Sequence, residues 1–364
     1  MKEKIGLLTI HDTINYGSLL QTFATYAAIE KLGYEVEVID YKCKAIYERE
    51  TTYSLSEIKK ASDIIRWFLW HKKLREKKEK FDDFVCNEMK LSSISYNRDN
   101  IKDANDIYKT FIVGSDIVWG MNVTGNDFTY FLDFTDENKK RISFSSSIGT
   151  AWGKQFTAEI KKNLLRFDNI SVREQLASEW VKETIGKEVP VTCDPTMLWD
   201  SKYWSRYTDD QILPKEKYVL IYMAMNDRSN ITDGIEYARK KGIKAYYIDF
   251  YETKPVKGLS VVKPVSIQQF ISLIKNADTI FSASYHGLLF SLYFHKNVFF
   301  YNRGNKSRMA SLSEELKIQN REGTAINLNM DNAIDYEFVD SVINKKRQES
   351  WSYLENVLKE AEYR

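Results

Sequence analysis

Residues 284–287 read Ser-Tyr-His-Gly and separate two apolar runs, Thr279–Ala283 and the run that Gly287 opens with helical spacing. That order fits a buried strand, a tight turn, and a helix whose first turn points at a ligand. The N–H groups at such a helix start attract anions, and a glycine at 287 would let a phosphate or carboxylate approach the backbone. His286 stands where an imidazole can reach that anion and exchange a proton with the group attached to it. Four histidines occur in the chain, so one at this kind of turn is informative. The alternative is a histidine that only caps a strand end. Arg303, Lys306 and Arg308 follow downstream and add positive charge.

Four more polar clusters follow apolar runs, on the side where parallel sheets bind ligands. The first is His11-Asp12-Thr13-Ile14-Asn15-Tyr16-Gly17-Ser18, in which Asn15 and Ser18 can cap a helix and Gly17 gives backbone clearance. The second is Gly114-Ser115-Asp116 with Trp119 behind it. A carboxylate beside an indole suits a sugar, because the ring packs on C–H surfaces and the carboxylate accepts hydroxyl hydrogens. The third is Ser171-Val172-Arg173-Glu174, whose arginine offers a fork of donors to a carboxylate or phosphate. A local salt bridge with Glu174 or a neighbour is its other reading. The fourth, Asp194-Pro195-Thr196, reads as a structural turn near an interdomain cleft.

The elements that must carry these clusters alternate as strands and helices. Lys4–Ile10, a helical pattern over Ser18–Leu32 stopped by Gly33, and Glu35–Asp40 form a β-α-β unit. Strands at Thr110–Val113, Arg141–Ser146 and Asn169–Val172 follow, with helices at Phe156–Leu165 and after Arg173. A second set has strands at Tyr218–Met223, Lys244–Ile248 and Thr279–Ala283, with helices at Asn230–Lys241 and Ile267–Lys275. The expected fold class is therefore α/β, with parallel sheets in two halves. The boundary is expected at about 200–215, giving domains 1–205 and 206–364; a final helical pattern, Ser341–Ala361, is able to pack back on the first.

Composition bounds the rest. A chain of 364 residues, 43% hydrophobic and 29% charged, is a soluble globular protein with room for two domains. A net charge of +2 demands no nucleic acid. Cys43, Cys86 and Cys193 are too scattered for a disulfide framework or a metal-ligand spacing, so no metal is expected. With no signal segment and no bilayer-length apolar run, the expected location is the cytoplasm. An insertion at about 55–90 combines Ile64, Ile65, Trp67, Phe68, Leu69 and Trp70 with Lys72, Lys73, Arg75, Lys77, Lys78 and Lys80. Residues 58–85 thus read as a peripheral membrane contact at the inner face, or as a helical pair with a solvated charged face.

Taken in order, NYGSLLQTFATYAAIEKLG, VGSDIVW, SVRE, DPTMLW and SYHGLLFSLYF resemble the polysaccharide pyruvyl transferase family from Asn15 to about Arg308. The resemblance implies two Rossmann-like domains facing a cleft, similar to the GT-B glycosyltransferase architecture. It implies transfer of a pyruvyl group from phosphoenolpyruvate to hydroxyls of a sugar in cell-surface or exopolysaccharide biosynthesis, giving a pyruvate ketal. Phosphoenolpyruvate is then the donor substrate, no cofactor is needed, and the acceptor sugar is nucleotide-linked, lipid-linked or polymeric. Carried over by motif, Arg173 would hold the donor carboxylate or phosphate, with Ser284, Gly287, Arg303 and Arg308 also on the donor side. His286 would be the general acid, and Asp116 would orient or deprotonate an acceptor hydroxyl. Asn15, Tyr16, Gly17 and Trp119 would line the acceptor side. Ketal-forming members commonly carry arginine two residues before the motif histidine; Ser284 stands there in this chain, so one donor contact is missing or comes from Arg303 or Arg308. Two other readings stay open: a GT-B-type glycosyltransferase using a nucleotide sugar, and an inactive carbohydrate- or anion-binding relative.

Overall fold

The computed structural model describes residues 4–51, 61–248, 256–262, 265–302, 308–323 and 333–362. It divides into two compact units. One comprises Met1–Trp67, Phe81–Trp199 and Lys346–Arg364; the other comprises Phe68–Lys80 and Asp200–Lys345.

The first unit is built on strands β1 (Lys4–Leu8), β2 (Glu35–Tyr41), β3 (Leu91–Tyr96), β4 (Thr110–Val113), β5 (Lys140–Ser146) and β6 (Asn169–Val172). They form one sheet in the order β3-β2-β1-β4-β5-β6, and every neighbouring pair is parallel. The strand order therefore reverses between β1 and β4, where Ile5 pairs with Val36 on one side and Thr110 on the other. This is the switch point at which loops from both directions diverge and leave a crevice at the strand C-termini. Helix α1 (Tyr16–Lys31) is capped by the Asn15 side chain, which accepts from the N–H groups of Gly17 and Ser18. It is buried on nearly every side, so its polar residues must be satisfied internally. Gln21 Nε2 accordingly donates to Thr9 Oγ1 at 3.1 Å.

The chain continues through α2 (Lys44–Thr51), α3 (Ala61–Glu88), α4 (Met121–Thr124), α5 (Thr157–Leu164) and α6 (Gln175–Ile185). Where the sequence left a helical pair open, α3 runs as one helix of 28 residues. Phe81 and Phe84 on its last turns meet Tyr16 and Phe23 of α1 edge-on, at 4.9 and 5.3 Å. Of the expected membrane-contact segment, residues 58–60 and the side chains of 61–70 lie outside the described residues. In its basic stretch Lys77 is buried and Lys72 pairs with Glu76 at 4.0 Å.

The second unit repeats the topology with β7 (Tyr218–Tyr222), β8 (Lys244–Ile248), β9 (Leu259–Val262), β10 (Thr279–Ser282) and β11 (Asn297–Phe300). Its all-parallel order is β11-β10-β7-β8-β9, which places a second switch point between β7 and β10. Helices α7 (Ser201–Trp204), α8 (Ser229–Lys241), α9 (Ile267–Asn276), α10 (Tyr285–Tyr293) and α11 (Arg308–Glu315) connect and cover it. The last helix, α12 (Tyr336–Glu362), has residues in both units. Its Arg347, Ser350 and Trp351 hold the segment before residue 200. Arg347 Nε donates to Met197 O at 2.7 Å, Trp351 Nε1 to Leu198 O at 3.1 Å, and Ser350 Oγ accepts from Cys193 N at 2.8 Å.

Candidate functional site

The turn after β10 is the expected strand–turn–helix, with each polar residue in a defined place. Ser284 is the N-cap of α10, and its Oγ accepts from Gly287 N at 3.4 Å. Ser282 Oγ locks the turn from below, donating to Ser284 O and accepting from Ser284 N, both at 3.1 Å. His286 lies in the first helical turn, nearly buried, with its ring edge-on to Tyr285 at 5.5 Å. Arg308 opens α11 and sets its guanidinium over the Tyr285 ring, 5.4 Å from the centroid. The positive end of the α10 dipole and a histidine therefore share one turn, and the Arg308 guanidinium reaches it from α11 through Tyr285. Arg303 and Lys306 lie outside the described residues.

Gly287 departs from its expected role. A Cβ on this residue would stand 2.2 Å from Ser282 Oγ and 2.8 Å from Tyr222 Cδ1. The glycine is required for α10 to lie against β7 and β10, so its missing side chain is filled by protein and not by an approaching anion.

The first unit gathers its clusters at the C-terminal ends of β1, β4, β5 and β6. Arg173 follows β6, with only 1% of its side chain exposed. Its Nη1 donates to Asp194 Oδ2 at 2.9 Å and to Ser115 Oγ at 3.2 Å. Asp194, fully enclosed, accepts at its other oxygen from Thr196 N at 3.0 Å and Thr196 Oγ1 at 2.7 Å. Glu174 Oε1 accepts from Ser147 Oγ at 2.7 Å and Ile148 N at 3.1 Å. Arg173 thus carries internal carboxylate partners, Asp194 at 2.9 Å and Glu174 at 3.8 Å, which is the salt-bridge reading of its cluster. Asp194, read from sequence as a turn residue, is the nearer of the two.

Asp116 stands between these groups with φ 74°, a left-handed conformation that non-glycine residues rarely adopt. Its Oδ1 accepts from Ile117 N at 2.8 Å, and its carbonyl accepts from Ser147 N at 2.9 Å. Its other carboxylate oxygen takes no hydrogen bond among the described residues. Asn15 is committed to capping α1, and Gly17 is buried with its N–H bonded to Asn15 Oδ1 at 3.0 Å. Tyr16 is buried against Phe81.

Trp119 is a correction to the expected sugar platform. It is fully buried, stacks on Phe131 at 5.5 Å and 10°, meets Phe167 edge-on, and donates its indole N–H to Tyr130 O at 2.9 Å. A face and the polar edge of the indole are used within the core, and the ring is fully buried.

Beside these loops His11 and Asp12 of the first polar cluster join Asp40 and Lys42, two residues that the sequence did not single out. His11 Nε2 donates to Asp40 Oδ1 at 3.0 Å, and Lys42 Nζ bridges Asp40 and Asp12, at 2.9 Å from each. Burial pushes the Asp40 carboxyl up, but hydrogen bonds from His11 and Lys42 outweigh it and hold the group well below the ordinary carboxylate range. The usable signal was the parallel pairing of β1 and β2, which brings residues after both strands to one edge. Among the described residues, no group of His, Cys, Asp and Glu is placed to hold a metal ion. No helix among them is long and apolar enough to cross a membrane.

A family model described as polysaccharide pyruvyl transferase matches residues 15–305. No curated protein matches the chain. Among solved structures, a UDP-N-acetylglucosamine 2-epimerase is similar over 100% of this chain and 98% of its own, with TM-score 0.55 and 11% identity. The UDP-GlcNAc 2-epimerase of Neisseria meningitidis, solved bound to UDP-GlcNAc, is similar over 98% and 94%, with TM-score 0.51 and 11% identity. At that identity the likeness speaks for the fold alone: an α/β chain with two Rossmann-like domains.

Proposed function

Because the chain belongs to the polysaccharide pyruvyl transferase family, we propose that it transfers a pyruvyl group from phosphoenolpyruvate to hydroxyls of a sugar. The observation that carries the donor assignment is Arg308. Its Nη1 is buried with no hydrogen-bond partner among the described residues, beside Tyr285 at the positive end of α10. A buried cationic nitrogen without an acceptor is costly, and an anionic ligand oxygen would satisfy it. It also offers a charge where Ser284 replaces the arginine that the family resemblance led us to expect.

The reaction balances without a cofactor. The donor methylene gains a proton and becomes a methyl group. A sugar hydroxyl then attacks C2, phosphate leaves, and a second hydroxyl closes the ketal. Two hydroxyl protons are released for one taken up, and the phosphate departs with the balance. His286 is assigned the proton donation to the methylene, a role worth about 10²–10⁴ in rate. Asp116 is assigned the acceptor hydroxyl, through the carboxylate oxygen that Ile117 leaves unused.

Calorimetric titration with phosphoenolpyruvate tests the donor half, using the parent protein and Arg308→Ala. Saturable binding that the variant loses supports the reading. Binding unchanged in Arg308→Ala removes that residue from the donor site. A parent that binds a UDP-sugar and not phosphoenolpyruvate replaces the reading with nucleotide-sugar transfer.

A further inference from the structure

We propose that Asp194 is a positioning residue, fixing Arg173 as one arm of a brace that holds Asp116 in its left-handed turn. This rests on the reading of Asp116 as the acceptor-side carboxylate. A non-glycine residue at φ 74° keeps that conformation only where its surroundings over-determine it. Two hydrogen-bonded chains do so here. On one side, Ser115 Oγ accepts from Arg173 Nη1 at 3.2 Å, while Ser115 O accepts from Thr9 Oγ1 at 3.0 Å. On the other, Asp116 O accepts from Ser147 N at 2.9 Å, and Ser147 Oγ donates to Glu174 Oε1 at 2.7 Å.

Both arms end on consecutive residues, Arg173 and Glu174, at the junction of β6 and α6. Glu174 is anchored by a second donor, Ile148 N, at 3.1 Å. Arg173 is anchored by Asp194, whose two oxygens accept from Arg173 and from both donors of Thr196. The backbone before Asp194 is pinned in turn by Ser350 of α12, through Cys193 N at 2.8 Å. An enclosed ion pair is weak evidence for stability, since apolar residues of like volume often do as well. What apolar residues would not supply is the donor to Ser115 Oγ. The pair therefore sets the pose of the 114–117 turn, and with it the direction of the Asp116 carboxylate.

The test combines amide exchange with kinetics on Asp194→Asn. The reporters are the Ile117 and Ser147 amides, which donate to Asp116, against the Val38 amide in β2, which donates to Lys90 O. The expected result is exchange at least about tenfold faster at Ile117 and Ser147, with Val38 within about twofold of the parent. In phosphate release from phosphoenolpyruvate with a sugar acceptor, kcat should fall while KM for phosphoenolpyruvate stays within about twofold. Equal acceleration at all three amides, or no change at Ile117 and Ser147, overturns the proposal, as does a shift in that KM with kcat unchanged. If Asp194→Asn does not fold, Ser115→Ala removes the same arm without leaving a charge unpaired, and the same local exchange signature is required of it. If the parent shows no turnover, the proposed reaction fails on its own, and the exchange pattern still decides whether the brace exists.

Discussion

Gly287→Ala separates two reasons for a glycine at the start of α10, because they predict opposite signs. If the glycine only cleared the way for a ligand, alanine would raise helix propensity and stabilise the fold by up to about 1 kcal/mol. The structure predicts otherwise. The added Cβ would lie 2.2 Å from Ser282 Oγ, 2.8 Å from Tyr222 Cδ1 and 3.2 Å from Ser282 Cβ. Ser282 cannot easily yield, since its hydroxyl makes two hydrogen bonds to the Ser284 backbone and the residue is fully buried. Overpacking of this kind costs about 1–3 kcal/mol, and a displaced α10 would also weaken the Ser284 cap, worth about 1 kcal/mol. Setting the propensity gain against these leaves a net loss of about 1–3 kcal/mol. Urea unfolding, read by amide exchange at core positions of the second unit, measures it. Ser282→Ala in the same chain should recover part of the loss, because it removes the shortest contact. A Gly287→Ala protein as stable as the parent, with phosphoenolpyruvate binding lost, would refute the packing argument and restore the ligand-approach role.

Trp119→Ala should destabilise the first unit by about 3–5 kcal/mol in urea, as for a large buried aromatic; a stable variant that merely loses sugar affinity would contradict the core assignment. Asp40 titrates below its unfolded value near 3.8, so it contributes stability above that pH that is lost as the pH falls through the unfolded and then the folded value. Asp40→Asn should accordingly be less stable at pH 7 and show a shallower decline between pH 5 and pH 3; parallel urea midpoints for both proteins would remove His11 and Lys42 as the cause. Cys86 is exposed, while Cys43 and Cys193 are buried, the Cys193 thiol being pushed up to about 12 by burial. A thiol reagent should therefore label one cysteine per native chain and three after denaturation.

Every interior strand was legible in the sequence, and of the four edge strands only β6 was. β3, β9 and β11 went unread, and each is the outermost strand of its sheet. β3, LSSISY, exposes three successive residues, and β9, LSVV, has no fully buried one, so neither shows an apolar run. β11 was hidden differently. α10 stops at Phe294 and the chain reverses through His295 at φ 52°, with no glycine to mark the end. Motif order singles out Asp116, Arg173, Ser284 and His286 because each follows the C-terminal end of a parallel strand, β4, β6 or β10. It could not show which of them face inward. Arg173 and Trp119 are residue types that bind ligands when exposed and hold cores together when enclosed, and only packing separates the two.

The clasp of α12 on residues 193–199 sets an order of assembly. Cys193 and Ser350, hydrogen-bonded in the finished first unit, are 157 residues apart in sequence, and nearly all of the second unit is encoded between them. Leaving the ribosome, the first sheet can form early but cannot be closed until the second has been synthesised. Its completion thus waits on one of the longest loop closures in the chain, and such late, non-local contacts slow folding. A fragment cut at residue 199 would end with Leu198 and Trp199 uncovered by Trp351, which makes the obvious place to divide the gene the wrong one.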